Sequence, residues 1–504
     1  MKKSSLKSLG LVLIICAMSI IFMVQEREVK ADDFSAAKTI QVNTGVSGNT
    51  LQGNREQSNY YKFTVTNAGY VIVNFKNPLQ KNSEGYWNVW LYDSDYEELA
   101  YTEVCGNKTS TDLTAIGIDA GTYYIKINST WWGEPASADT YTVTANFTKS
   151  EYWEKEFNDD FVTSTPIKVN TSYYGTTRKG YRDERDYYAV NISSNGVLTV
   201  NFQNPSQKDS EGYWSVYLYD KEYKELAYAE IKGNIKNTSL PQIGVSKGTY
   251  YIKIDSTWYS EAASTDKYTV KAKFTKSNYW EEEFNDNFVS ATKMNLNTLY
   301  YGTTRKGYRD EADYYKFNTN TKGNWVIGIS TPNLKNSDNY WSAYLYDSSY
   351  NEIAKVDISG NIKYHIIKAT LKKGTYYLKI DSTWYSKAAS TERYGVKVYK
   401  YGILKPISTK ISGKIKSKKK GFTVKWTKSK KSVGGYQVQY SLKKDFKKAK
   451  KKNVSKSKAS LSVGKLKKKR RYYVRIRTYV TYNINGVYTK VYSSWSSVKK
   501  VRTK

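Results

Sequence analysis

The chain has 504 residues, with 80 Lys and Arg against 46 Asp and Glu, one His, two Cys and seven Pro. Such a length accommodates several domains of roughly 150 residues each. The shortage of His and Cys excludes a zinc site of the Cys/His type, and it confines any Ser-His or Cys-His catalysis to His365.

Met1 to Gly10 carries Lys2, Lys3 and Lys7 and no acid, and Leu11 to Val24 is an uncharged run. Val29-Lys30-Ala31 fits a cleavage site, so 1–31 reads as a secretory signal peptide. The run is short against the roughly 20 residues of a membrane span, so no transmembrane anchor is expected after cleavage. The mature chain then keeps Cys105 as its one cysteine and forms no internal disulfide. A secreted chain of this size is therefore held by its cores or by metal.

The chain then repeats itself. Gly85-Tyr86-Trp87 recurs as Gly212-Tyr213-Trp214 and as Asn339-Tyr340-Trp341, at a spacing of 127 residues. Gly121-Thr122-Tyr123-Tyr124 recurs from Gly248 and again from Gly374. A period this long marks a whole domain rather than a solenoid unit. The predicted domains are 32–150, 151–277 and 278–401, followed by 402–504. Within the second copy, Tyr188, Val190 and Ile192 alternate with Ala189 and Asn191. Leu198, Val200 and Phe202, then Trp214, Val216 and Leu218, then Tyr250, Ile252 and Ile254 do the same, as do Tyr268, Val270 and Ala272. Alternation of period two buries one face of a strand and solvates the other. Short runs of this kind between Gly, Asn, Ser and Asp predict an antiparallel sandwich.

The character changes near Tyr401. Residues 401–504 hold 33 Lys and Arg against one acid, Asp445, whereas 32–400 is nearly neutral. The tail is still patterned: Phe422, Val424 and Trp426 alternate with Thr423 and Lys425, and Tyr472, Val474 and Ile476 with Tyr473 and Arg475. A folded β-domain with a lysine-covered surface is expected, not a disordered basic arm.

Two family resemblances follow. Glu154-Lys155-Glu156-Phe157-Asn158-Asp159, Asp183-Glu184-Arg185-Asp186-Tyr187-Tyr188, Leu218-Tyr219-Asp220 and Gly248-Thr249-Tyr250-Tyr251-Ile252 stand in the order found in the bacterial pre-peptidase C-terminal domain. The repeat resembles that family, which is related to the collagen-binding domain of clostridial collagenases. It departs at Phe157 and Phe284, where the family usually has Pro. The tail resembles a fibronectin type III domain. Val424-Lys425-Trp426 and Gly435 to Tyr440 match its strands, Leu466 and Tyr472 its tyrosine corner, and Tyr492 to Ser496 its closing strand. The resemblances imply an all-β chain: three tandem jelly-roll-like β-sandwiches plus a C-terminal fibronectin III/Ig-like β-sandwich, none of them catalytic.

Calcium takes six to eight oxygen ligands from carboxylates and amide carbonyls. Glu154, Glu156, Asn158 and Asp159 supply such groups within six residues, and Asp183 and Asp186 can close the shell. The third copy offers Glu281, Glu283, Asn285, Asp286, Asp310 and Asp313. The family resemblance implies calcium at these positions, and a solvated acidic strand is the competing reading. The first copy has Asn59 in the place of Asp186, so weak calcium or none is expected there. A bound ion would serve as the staple that disulfides do not supply.

Trp131 and Trp132, Trp258 and Tyr259, and Trp384 and Tyr385 each follow a strand, and Tyr217, Tyr219 and Tyr251 occupy alternate strand positions. Exposed rings suit a glycan or a collagen-like ligand of residues 32–400. The competing reading is that the tryptophans plug the ends of the sandwich and the tyrosines pair across strands.

The cationic module 402–504 is expected to bind anionic cell-wall polymers or acidic glycans through its field. Secretion disfavours nucleic acid, and a solubilising surface with no partner is the other reading. His365 sits in a predicted strand of one copy only. Paired carboxylates for glycan hydrolysis fall within the calcium pattern. The sequence therefore points to a secreted or Gram-positive cell-surface binding and adhesion protein, not an enzyme. An accessory subunit for secreted hydrolases is the alternative, and a carboxylate-based hydrolase a more distant one.

Overall fold

The computed structural model describes residues 34–50, 58–80, 85–129, 139–177, 185–205, 212–256, 265–304, 312–332, 339–382, 392–400, 406–429, 433–484 and 487–504. These residues form an all-β chain, and no helix among them is long and apolar enough to cross a membrane. The predicted signal peptide 1–31 lies outside them.

Each repeat is a sandwich of two sheets. In the second copy one sheet runs in the order Thr165–Ile167, Arg185–Ile192, Gly248–Ser256, Gly212–Tyr219, Glu225–Lys232. The facing sheet runs Ser172–Gly175, Tyr268–Lys276, Gly196–Gln203, Asn237–Ser239, with Ile243–Val245 also on Gly196–Gln203. All pairings are antiparallel except Thr165–Ile167 on Arg185–Ile192. The first copy repeats this order, while the third merges the two short strands into one, Tyr364–Leu371.

The period-two pattern decides which face is buried. Tyr188, Val190, Leu198, Val200, Trp214, Val216, Leu218, Ile252, Ile254, Tyr268 and Val270 are fully enclosed in one core. Separate cores gather around Trp87 and Trp341. His365 is buried in Tyr364–Leu371 with its Nε2 against the carbonyl oxygens of Ser359 and Ile362, at 3.3 and 3.1 Å. It is a packed structural residue.

The tail has a fourth core built on Phe422, Val424, Trp426, Tyr436, Val438, Tyr472, Val474 and Ile476. Lys416–Lys418, Gly421–Lys425 and Ser460–Val463 make one sheet. Lys450–Ser455, Gly435–Ser441, Arg471–Ile484 and Val487–Tyr492 make the other, with Lys499–Arg502 on the far part of Arg471–Ile484. The Tyr472 hydroxyl accepts the Lys467 N–H at 3.1 Å, which forms the expected corner. One expectation fails: Tyr492 to Ser496 is not the closing strand, which is Lys499–Arg502. After Tyr492 the backbone N–H groups of Ser493 and Ser496 still donate to the Thr478 and Ile476 carbonyls, at 3.0 and 2.7 Å, while serine hydroxyls replace the carbonyls as acceptors. Ser493 Oγ accepts the Thr478 N–H and Ser496 Oγ the Ile476 N–H, at 3.0 and 3.1 Å. Trp495 lies against the guanidiniums of Arg475 and Arg477, 4.5 and 4.2 Å from its ring centre.

Candidate functional site

The acidic segment that opens the second copy lies on the seam with the first. Glu156 N–H donates to the Gly117 carbonyl at 3.2 Å, and Thr176 Oγ1 to the Ala115 carbonyl at 2.6 Å. Trp153 stacks on Tyr70 at 4.3 Å, Phe157 packs against the first core, and Lys155 pairs with Asp119 at 2.6 Å. A Cβ on Gly117 would collide with the Glu154 carbonyl, so the close approach requires glycine there. The next seam is built alike. Glu283 N–H reaches the Gly244 carbonyl at 3.4 Å, Thr303 Oγ1 the Gln242 carbonyl at 2.5 Å, and Phe284 packs on the second core under the Lys224 ammonium. The peptide bonds before Phe157 and Phe284 are cis.

At each seam three carboxylates converge. Oxygens of Glu154, Glu156 and Asp186 lie within 4.8 Å of one another, as do those of Glu281, Glu283 and Asp313. Glu154 and Asp186 are fully buried and Glu156 is half-buried. These two clusters could hold a metal ion. Asn158 is buried beside Glu154, with its Nδ2 toward Thr165 Oγ1 at 3.4 Å and its Oδ1 without a hydrogen-bond partner. Asn285 repeats this arrangement against Thr292. Asp159 and Asp286 stand outside the two trios. Asp183 and Asp310 lie outside the described residues.

A tyrosine pair backs each trio. Glu154 Oε1 accepts the Thr176 N–H at 2.6 Å, and Oε2 faces the hydroxyls of Tyr188 and Tyr268 at 2.7 and 2.9 Å. Tyr268 also meets Asp186 at 2.5 Å and Tyr188 at 2.7 Å. These four oxygen–oxygen contacts share two phenol protons. Two of the four contacts therefore have no proton of their own. Burial pushes the Glu154 carboxyl up to about 7, against hydrogen bonds from Tyr188, Thr176, Tyr268 and Asn158 that pull it down. Burial and the adjacent carboxylates hold Tyr188 and Tyr268 protonated. Tyr315 and Tyr394 take the same places against Glu281 and Asp313.

The first copy keeps the tyrosines and loses the acid. Tyr61 and Tyr141 meet at 2.9 Å, and Asn59 Nδ2 donates to the Tyr141 hydroxyl at 2.7 Å where Asp186 stands in the second copy. The sequence reading missed Gly117, Thr176 and the paired tyrosines as parts of the site. Tyrosine at the same core positions in all three copies was the signal, since a plain hydrocarbon core has no use for the hydroxyl.

The outer face of the sheet that contains Gly248–Ser256 shows what the tyrosines of that face meet. Phe161, just past the acidic segment, inserts among Tyr187, Tyr219, Tyr223 and Tyr251, at 4.2–5.4 Å between ring centres. Phe34 and Phe288 do the same in the other copies. Tyr219 and Tyr251 are therefore covered by their own chain. Further along the sheet lies a second ring pair, one ring half-buried and the other exposed. Trp90 lies 5.2 Å from Tyr101 with the Lys126 ammonium 5.2 Å away, and the Tyr101 hydroxyl donates to Asn88 Oδ1 at 2.8 Å. Tyr217 and Tyr228 repeat the pair at 4.8 Å beneath Lys253. Lys355 replaces the second ring in the third copy, 5.1 Å from Tyr344. Trp131, Trp132, Trp258, Tyr259, Trp384 and Tyr385 lie outside the described residues.

No protein-family model matches the chain. It is 29% identical over 233 residues to collagenase ColT of Clostridium tetani, a match that covers 45% of this chain and 22% of that protein. Among solved structures it is similar to the pre-peptidase C-terminal domain of a collagenase from Bacillus anthracis. That likeness has 24% identity and a TM-score of 0.17, over 21% of this chain and 93% of the other. The fibronectin type III domain of human contactin 1 is similar at 14% identity and a TM-score of 0.16, over 20% of this chain and 80% of the other.

Proposed function

We propose that this is a secreted or cell-surface binding protein with no catalytic centre of its own. The repeats present ligand-binding faces, calcium sets their seams, and the cationic tail holds the protein to anionic cell-wall polymers. The observation that carries the binding reading is a ring pair with one exposed member, Tyr101 beside the half-buried Trp90 and Tyr228 beside the half-buried Tyr217, at equivalent places in two copies. Tyr101 and Tyr228 are 45% and 44% exposed, so these rings offer flat apolar area flanked by an ammonium in both copies and by the Asn88 amide in the first. Such a surface fits a sugar ring or an extended collagen-like chain. The likeness to part of a collagenase supports the matrix ligand. It also favours a second reading, in which the chain targets a separate secreted hydrolase to its substrate.

Calcium is supported by the oxygen-only donor set, the buried amide oxygens of Asn158 and Asn285, and the shortage of protons around Glu154. Glu154, Glu156, Asp186 and Asn158 would hold the second-copy ion, and Glu281, Glu283, Asp313 and Asn285 the third. Asp159, Asp183, Asp286 and Asp310 are candidates to complete the shells. Bound there, the ion would neutralise the buried carboxylates and lock each copy to the one before it.

The binding test is retention of the full chain on immobilised collagen fibrils and on purified cell-wall glycan. The Trp90→Ala, Tyr228→Ala double variant should lose at least tenfold in affinity for one of them with little change in melting temperature. Unchanged binding to both would remove the ring pairs from the reading. Release of peptide or sugar by the protein alone would overturn its non-catalytic part.

A further inference from the structure

The tail carries a feature that its net charge alone does not describe. Two turns at one end of the sandwich enclose a cleft of about 390 Å³. One wall is the turn that bears Lys443, Lys447, Lys448 and Lys450, and the other bears Lys465 and Lys467. All six are solvent-exposed. The one acid of the tail, Asp445, lies 3.9 Å from Lys447, so five of the six ammoniums have no carboxylate of this module to pair with.

The walls are held in place. Ser441 Oγ donates to the Lys447 carbonyl and accepts from Lys443 N–H, at 3.0 and 3.1 Å, and Asp445 Oδ1 accepts from Lys447 N–H at 3.0 Å. Phe446 is pinned beneath the Arg475 guanidinium, 4.0 Å away. The opposite wall is tied by Leu466 N–H to the Lys420 carbonyl at 2.9 Å and by Lys467 N–H to the Tyr472 hydroxyl at 3.1 Å. Lys448 and Lys465 adopt φ of 54° and 56°, in the left-handed region where Gly and Asn sit more easily. What lysine adds at these two positions is charge.

We propose that this cleft is a binding subsite for phosphodiester groups of a polyol-phosphate chain. The inference rests on the reading of the tail as an anchor to anionic wall polymer and names the place where that polymer is gripped. Every cation at the rim is lysine and none is arginine. Ammonium groups bind phosphate as point charges, without the fixed bidentate geometry of a guanidinium, which suits successive charged groups on a flexible chain. The ring-bearing residues of the cleft, Tyr440 and Tyr472, are 4% and 6% exposed, so no aromatic face is available for stacking a nucleobase. Clustered like charges over low-dielectric walls focus the field on one spot rather than spreading it over the module.

The test uses the full chain and soluble poly(glycerol phosphate), titrated at several salt concentrations. A cleft variant, Lys443→Gln, Lys447→Gln, Lys465→Gln and Lys467→Gln, is compared with a control that removes equal charge elsewhere: Lys414→Gln, Lys416→Gln, Lys451→Gln and Lys456→Gln. The cleft variant should lose at least tenfold in affinity and flatten the salt dependence, while the control should lose less than threefold. Equal losses would overturn the subsite and leave diffuse anchoring intact. No binding by the native chain would overturn the anchoring reading and the subsite with it. Equal cleft-dependent binding of single-stranded DNA would overturn the polyol-phosphate assignment. Should the fourfold variant unfold, Lys443→Gln and Lys467→Gln singly should each weaken binding more than Lys416→Gln does, and parity among the three would overturn the subsite.

Discussion

Glu154 Oε2 accepts the hydroxyl of Tyr188 at 2.7 Å, and Glu281 Oε2 accepts that of Tyr315 at the same 2.7 Å. Each glutamate belongs to the segment that enters a repeat, and each tyrosine to that repeat's core. The bond therefore fastens the incoming segment inside the sandwich, while the same segment lies against the copy before it.

Metal removal should be felt at both seams. Chelation of the calcium-loaded chain is expected to lower its melting temperature. An ion present at a hundred times its dissociation constant stabilises by about 2.7 kcal/mol. In the Glu154→Gln, Glu281→Gln double variant the chelation response should vanish. Calorimetry with and without chelator decides it, and a response of undiminished size would remove calcium from these clusters.

The buried tyrosines should differ between copies. Tyr268 meets two carboxylates, and hydrogen bonds to charged groups contribute about 1.5–3 kcal/mol against about 0.5–1.5 for neutral ones. Tyr268→Phe should thus destabilise more than Tyr141→Phe, whose hydroxyl meets the Asn59 amide and Tyr61. Denaturant unfolding of the two variants provides the comparison.

Gly117→Ala places a methyl group against the Glu154 carbonyl. It should weaken the second-copy metal site by about 10–100-fold, as loss of a supporting contact does, and leave the Glu281 site unchanged. Calcium titration resolved into two classes of site would show this, and equal weakening of both classes would contradict it.

Phe34 is 2% exposed at the centre of a ring of four tyrosines. Phe34→Ala should cost about 3–5 kcal/mol, as for a core aromatic, although it lies outside the strands. A loss below about 1 kcal/mol in thermal unfolding would show that the tyrosines close over the gap.

The fold was largely legible because period two is local: whether Val216 or Tyr217 faces inward is decided by immediate neighbours. The acidic cluster was legible in part. Glu154, Glu156 and Asn158 announce themselves by crowding, and Asp186 by its counterpart Asp313 in the next copy. The tyrosine pair was not legible as a site, since Tyr188 and Tyr268 are 80 residues apart and read as ordinary core. Nor was the cover that Phe161 places over Tyr219 and Tyr251, because alternation says which face a ring occupies and nothing about what lands on it. The tail shows the same limit. Tyr492 to Ser496 has strand-like composition, yet serine hydroxyls take the place of backbone carbonyls as acceptors there.

The seam also sets an order of assembly. Gly117 and Ala115 precede Glu154 in the chain, as Gly244 and Gln242 precede Glu281, so a chain delivered N-terminus first completes each docking surface before the segment that needs it arrives. The first and second copies are thereby each a template for the next. A copy that misfolds withholds the carbonyls that Glu156 or Glu283 must find.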